Sequence, residues 1–548
     1  MPSPYTSSPA IRVRSSGDPL IDALLGDTQW GQVPGAGVLL TYSFPWTTSS
    51  HAVFSGPLGQ AYSSDAEHEA EFHFGLTAVQ QASAREALLA WAAVANIRLQ
   101  EVAETGSEVG NIRFAWTSVT AETDSGAAAW GWARYPNAYW PSAGDIWIST
   151  ASSASTSADR WQVGSFNHYS LLHEIGHAIG LKHTFEGTMQ LPVLMDNMAN
   201  TVMSYTQPAN NVYPEWGWTG SGTGWVHDYI WPSSPMVLDI AAIQHLYGAN
   251  LSYRAGDDRY TFAPDEPFFR TLWDAGGHDV LDLSNFRLAV DVDLQPGAYS
   301  SLRIEPPERR GGAVLTYDGT NNLGIAHGAL IEDAVGGSGN DRLLGNAFSN
   351  ILTGSGGNDF LDGREGIDWA RVFGKRADYQ LTHQGEGTFR LWDTVWLRDG
   401  IDTLVRVERL LFADGALALD LDGAAGFVAR VVGAVFGADA VRGRPDYIGI
   451  GLHYLDAGMS REGLLQLALD ARLGPAPGHA QLVDLLYTHV IGVPPAEAVR
   501  QEYVLALQNG TFKSLDLGFL AVLSNENQAR IDLLGLASDG IAFVPFAG

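Results

Sequence analysis

The stretch His173-Glu174-Ile175-Gly176-His177-Ala178-Ile179-Gly180-Leu181-Lys182-His183 constrains this 548-residue chain more than any other. Residues four apart share one face of a helix, so His173 and His177 can direct their ring nitrogens at one point, with Glu174 beside them. Gly180 is the residue type that leaves a helix through a left-handed conformation at low cost, which returns His183 toward the same point. Three neutral imidazoles with an open fourth position form the ligand set of a catalytic zinc, whereas a structural zinc is closed by a fourth protein ligand, usually cysteine. The chain contains no cysteine.

A second element, Asn200-Thr201-Val202-Met203-Ser204-Tyr205, follows. The pattern H-E-x-x-H-x-x-G-x-x-H with a later methionine turn is the metzincin signature, and Val202-Met203-Ser204-Tyr205 resembles its serralysin branch. That resemblance implies a zinc endopeptidase acting on proteins or peptides, with one catalytic zinc held by His173, His177, His183 and, reversibly, Tyr205. It also implies Glu174 as general base, Met203 as an apolar floor beneath the metal, and Tyr205 as a support for the transition state. The chain departs from the family in one nearby respect. Thr184 follows His183 where serralysins usually carry proline.

The formal charge of −29 argues against nucleic acid and anionic membrane surfaces as partners, because both are polyanions. Without cysteine there are no disulfides to give an exported protein its rigidity, and bound cations are the alternative. The N-terminus lacks the basic start and apolar core of a secretory signal peptide, and no apolar run of about 18 residues is present to span a membrane. A secreted, extracellular, bacterial protein without an N-terminal signal is therefore expected, with a one-step (type I) secretion apparatus as the export partner. A monomer is expected.

The length calls for several domains, and the expected class is α+β. Residues 1–20 read as a flexible leader or short propeptide, and 21–250 as a metzincin catalytic domain. Within the latter, strands are expected at 38–44, 97–102, 111–116 and 144–148, with a helix from Thr77 to Asn96. Pro235 to Gly248 reads as a further helix. Ala127, Ala128, Ala129, Trp130, Gly131 and Trp132 resemble the edge strand on which the family binds peptide substrate by strand addition.

Residues 251–372 are rich in glycine and aspartate and read as a calcium-binding parallel β-roll or β-sandwich domain. Gly336, Gly337, Gly339 and Asp341, then Gly354, Gly356, Asn358 and Asp359, then Gly363 and Asp368, fit a nonapeptide repeat in which glycines allow tight turns and oxygens hold several structural calcium ions. By resemblance, Arg254, Gly256 and Asp257, then Asp274, Gly276, Gly277 and Asp279, and Glu332 are further calcium positions. Residues 373–418 read as a small β extension without visible chemistry.

Residues 419–548 read as an all-helical C-terminal domain of two similar units, a tail that binds an unknown partner or carries the export signal. Two other classes stay open beside the broad protease. One is a calcium-dependent binding or adhesion protein on a catalytically silent metzincin scaffold; the other is a narrow-specificity protease directed by the helical tail.

Overall fold

The structure is a computed structural model that describes residues 3–4, 9–46, 53–56, 58–69, 73–105, 108–121, 128–156, 160–307 and 311–546. It divides into two compact units. The first comprises residues 1–279 and 294–331, the second 280–293 and 332–548. The class is mixed α and β, with a helical C-terminal region.

In the first unit, strands β1 (Val38–Ser43), β2 (Ile97–Glu101), β3 (Ile112–Thr117), β4 (Gly131–Ala133) and β5 (Asp145–Ser149) form a sheet in the order β2-β1-β3-β5-β4. All its pairings along that path are parallel except β5 with β4, which is antiparallel and leaves β4 on the edge. Helix α1 (Ala78–Val94) starts at Thr77, whose hydroxyl accepts from the Gln80 amide while the Gln80 side chain accepts from the Thr77 amide. Its buried face, Leu88 and Trp91 among it, packs on helix α2 (Phe166–Ala178), and the Trp91 indole donates to the Leu172 carbonyl. Helix α3 (Val237–Tyr247) is apolar nearly all round and correspondingly buried, and Gly248 ends it.

The stretch read as a flexible leader contains regular structure among its described residues, Ser3–Pro4 pairing in parallel with Glu108–Val109. Ala10–Arg12 pairs antiparallel with Thr28–Trp30, and Asp18 caps a helical turn at Pro19–Asp22. The backbone edges of neighbouring residues account for this, since Gly26 donates to the Gly180 carbonyl and Lys182 to the Leu24 carbonyl. Hydrogen bonds to partners so distant in sequence leave no local pattern.

In the second unit, Asp333–Val335, Ile351–Thr353 and Trp369–Arg371 pair in parallel as neighbours in one sheet, and Arg342–Leu344 and Phe360–Asp362 do so in another. Side-chain to amide hydrogen bonds repeat at a separation of 18 residues, two nonapeptides. Ala334, Leu343, Leu352, Leu361 and Ala370 recur at every ninth position and are all buried. The segment read as a separate β extension continues both ladders, because Ile401–Val405 pairs in parallel with Phe360–Asp362 and Arg409–Phe412 with Trp369–Arg371.

The helices from Ala424 to Asp539 lie between two adjacent strands. Gly415–Ala418 precedes them, and Ile541–Phe543 follows and pairs antiparallel with it. Arg409, with a fully buried side chain, donates to the carboxylates of Asp420 and Asp456 and so ties the strand to the helical module. Arg409→Leu leaves the largely buried Asp420 without its cation and frees the more exposed Asp456, and we expect it to lower unfolding stability by about 2–3 kcal/mol, measured by denaturant titration.

Candidate metal centre and its surroundings

Helix α2 begins at Ser165, whose hydroxyl accepts from the His168 amide, and it is buried over nearly its whole length. His173 and His177 lie on one face of it, and the helix gives out after Ala178. Gly180 then takes a φ of 110° and lies so close to the Thr28 carbonyl that a Cβ would sit 2.7 Å from it. Both facts require glycine, and the turn they permit returns His183 to the helix.

The three Nε2 atoms converge. They lie 3.1 Å apart for His173 and His177, 3.1 Å for His177 and His183, and 3.2 Å for His173 and His183. A tetrahedral ion with nitrogens at about 2.0–2.1 Å separates them by about 3.3 Å, so the donor set fits zinc. Each opposite ring nitrogen has an acceptor. His173 Nδ1 donates to the Val202 carbonyl at 2.7 Å, His177 Nδ1 to the Leu181 carbonyl at 2.8 Å, and His183 Nδ1 to Glu186 Oε1 at 2.5 Å. These bonds put the proton on Nδ1 and leave every Nε2 lone pair pointing inward. Burial holds His173 down at about 3, with the neighbouring His183 acting in the same sense, and His177 is shifted the same way, so both stay neutral.

Glu174 lies beside the triad and is buried. One carboxylate oxygen has no hydrogen-bond partner among the described residues, while the carboxylate accepts from the amide of Ala133, the last residue of β4. Burial pushes its carboxyl up to about 8, into the range in which a group both accepts and returns a proton.

Met203 is fully buried under α2, and a Cβ at Gly176 would sit 2.5 Å from its sulfur, so glycine between the two histidines makes room for the methionine. The turn carrying it is held by Asp239 in the first turn of α3, which accepts from the Thr201 hydroxyl at 2.6 Å and the Val202 amide at 2.7 Å. Because Val202 supplies the carbonyl for His173, the buried carboxylate of Asp239 acts on the triad through it. The Tyr205 hydroxyl donates to His183 Nε2 at 2.8 Å, and its ring stacks on His173 while the residue remains half exposed. The departure at Thr184 has a local role. Its hydroxyl donates to Asp196, and Phe185 stacks flat on His183 at 5.0 Å.

Of the strand read as substrate-binding, Ala127 lies outside the described residues. Ala128 and Ala129 precede the short edge strand, and Ala129 donates to the Ala121 carbonyl. The side chains of Trp130 and Trp132 turn into the protein: Trp130 donates to Asn167, and Trp132 packs against the Tyr62 and Trp147 cluster. What Gly131 to Ala133 offers outward is backbone. No described strand pairs with its outer edge.

Gly277 meets the Gly256 carbonyl so closely that a Cβ would lie 2.3 Å from it, which brings together the two earlier segments read as calcium positions. Asp274 and Asp279 gather with Asp258, not Asp257, their carboxylate oxygens lying within 4.8 Å of one another. Asp257 accepts from the His278 amide instead, and Arg254 lies over the Tyr260 ring. Adjacent aspartates point to opposite sides of an extended chain, so sequence could not choose between them.

In the second unit Asp341 accepts from the Gly337 and Val290 amides, Asp359 from Asp341, Asp402 from Asp359, Asp368 from Asn350, and Glu408 from Asp368. Asp402, Glu408 and Asn350 belong to these stacks, and Asp399 nearby accepts from the Phe373 amide and the Tyr379 hydroxyl; the sequence does not mark them, because their turns lack the full glycine pattern. Glu332 contributes its backbone carbonyl, which accepts from Asn350. Gly336 and Gly354 lie against the carboxylates of Asp341 and Asp359, and Gly363 against that of Asp368. Gly339, Gly356 and Asn358 stand in the same turns, where a Cβ on Gly357 would run into the Gly339 carbonyl. One oxygen each of Asp359, Asp368 and Asp399 is buried without a hydrogen-bond partner among the described residues. Burial, and then neighbouring carboxylates, push Asp359 up to about 9 and Asp368 and Asp402 to about 8. Crowded, dehydrated oxygens of this kind fit a hard divalent cation.

Glu186→Gln removes the negative acceptor behind His183 while keeping its shape. We expect zinc affinity to fall at least about tenfold, read by competition with a chromophoric chelator.

Residues 238–395 match the model of the family described as Peptidase M10 serralysin C terminal. The chain is 32% identical over 332 residues to Serralysin B of Dickeya chrysanthemi, covering 58% of this chain and 61% of that protein. It is 32% identical over 296 residues to Metalloprotease AprA of Pseudomonas entomophila (strain L48), covering 50% and 54%, and 34% identical over 286 residues to Serralysin A of Dickeya chrysanthemi, covering 49% and 53%. The chain thus spans between half and two thirds of the length of these relatives. Over the matched part of its length the chain is therefore similar to these serralysins and to this metalloprotease.

Proposed function

We propose that the chain is a secreted, zinc-dependent endopeptidase that hydrolyses peptide bonds in proteins. The observation that carries this reading is the convergence of three neutral imidazoles on one point, beside a buried carboxylate that is itself bound to an open strand edge. When bound, zinc supplies Lewis-acid polarisation of the scissile carbonyl and a lowered pKa for water.

The chain's own residues do the rest. The outer edge of β4 offers amides and carbonyls to an extended peptide and lays it across the metal ligands. Glu174, anchored by the Ala133 amide of the same strand, takes a proton from the attacking water and delivers it to the leaving amine. The Tyr205 hydroxyl, released from His183, donates to the oxyanion that forms on the carbonyl. Met203 keeps the floor apolar, and the two helix-borne histidines in place.

The carboxylate ladders of the second unit and the Asp258, Asp274 and Asp279 group hold structural calcium in this reading, in a parallel β-roll folded outside the cell. The helical module between Gly415–Ala418 and Ile541–Phe543 is the candidate surface for a partner, or for the export machinery.

Glu174→Gln should retain one zinc per chain yet lose casein hydrolysis by about a thousandfold, and a variant that keeps full activity refutes the role given to Glu174. Zinc-selective chelation should abolish activity and zinc should restore it. Removing calcium should lower the melting midpoint of the second unit, each site filled at a hundred times its Kd contributing about 2.7 kcal/mol, as read by calorimetry with and without a calcium chelator.

A further inference from the structure

A cavity of about 620 Å³ opens beside the metal ligands, lined by Asp27, Tyr135, Asn137, Lys182, Glu186 and Met189 among others. Its inner wall belongs to the catalytic centre. The Tyr135 ring meets the His177 ring edge to face at 5.3 Å, and Glu186 is the residue that accepts from His183. Tyr135 stands two residues beyond Ala133, so a peptide lying along β4 passes the mouth of the cavity. At about 3.3 Å per residue, the side chain that reaches it is a few positions from the scissile bond.

The cavity is built rather than accidental. Lys182 Nζ donates to the carbonyls of Ala23 at 2.6 Å, Glu186 at 2.8 Å and Met189 at 2.9 Å, which joins the N-terminal segment to the loop after the third histidine. Four carbonyls, that of His183 at 3.5 Å included, thus occupy the donors of the lysine in the lining, though its charge still acts on Glu186 and Asp27. Three carboxylates face it. Asp22 is engaged by Ser15 and Ser16 and Glu186 by His183, whereas Asp27 is exposed and its carboxylate makes no hydrogen bond or ion pair among the described residues. Tyr135, Leu25 and the partly exposed Met189 add apolar surface along which an aliphatic stem can lie.

We propose that this cavity is a specificity subsite that takes an arginine or lysine side chain flanking the scissile bond, with Asp27 as its counter-ion. The proposal rests on the endopeptidase reading, and its test separates the two. Internally quenched peptides that carry Arg, Lys, Leu or Glu at each of three positions on either side of the cleaved bond should show kcat/KM about five- to tenfold higher for Arg and Lys at one position. Asp27→Asn should remove that preference and leave the Leu peptide unchanged, and Asp27→Lys should turn it toward Glu.

A second measurement does not depend on turnover. On the zinc-loaded Glu174→Gln background, fluorescence anisotropy should give Kd values for the Arg and Leu forms of one peptide that differ by a similar factor, and Asp27→Asn should abolish the difference. Casein hydrolysis without any basic preference, or an Asp27→Asn loss equal for Arg and Leu peptides, overturns the subsite and leaves the endopeptidase standing. If nothing is hydrolysed, the endopeptidase reading fails and the anisotropy ratio alone decides the cavity.

Discussion

Three hydrogen bonds, one from each imidazole Nδ1, govern the metal centre. They set the tautomer and the ring plane of His173, His177 and His183 together, and each acceptor comes from a different part of the chain. Leu181 is local to the turn that Gly180 makes, Val202 belongs to the methionine turn, and Glu186 lies in the loop beyond the third histidine. The buried Asp239 extends this dependence to α3, since it fixes the amide of Val202 whose carbonyl receives His173. The helix, its exit, the methionine turn and α3 therefore hold one another, and a metal ion finds three lone pairs already aimed.

The second unit works on an opposite principle. Its ladders stack carboxylates on one another's amides every 18 residues, and the glycines beside them leave no room for side chains that would dilute the charge. Burial makes these carboxylates costly to ionise without a counter-charge. Elsewhere in the unit arginine supplies the counter-charge. Arg364 takes Asp293 and the Gly345 carbonyl, Arg406 takes Asp362, and Arg409 joins Asp420 and Asp456 to the sheet. The helical module is held by the same sheet, because its return strand is the neighbour of the strand from which it departs.

In the proposed endopeptidase the edge strand serves twice. Its outer side offers backbone to an extended chain, and its last amide holds Glu174. Directly beyond it, the N-terminal segment and the loop after His183 enclose a negatively charged cavity braced by Lys182. The open strand edge, the Glu174 carboxylate and this cavity thus lie beside one another.

The amino-acid sequence alone marked the donor set that converges at the centre. Helical periodicity put two histidines on one face, the glycine turn supplied the third, and the order of the surrounding strands and helices was legible because each has its own period, cap or breaker. The nonapeptide rhythm was legible for the same reason. What tertiary structure alone decided is which distant groups meet: Asp239 and Glu186 behind the triad, Asp258 beside Asp274 and Asp279, Asp402 and Glu408 in the ladders, and residues 22–28 as a wall of the cavity beside the triad. Such partners leave no local signature, because a hydrogen bond between residues far apart in the chain depends on how the backbone closes and not on the spacing of residue types along it.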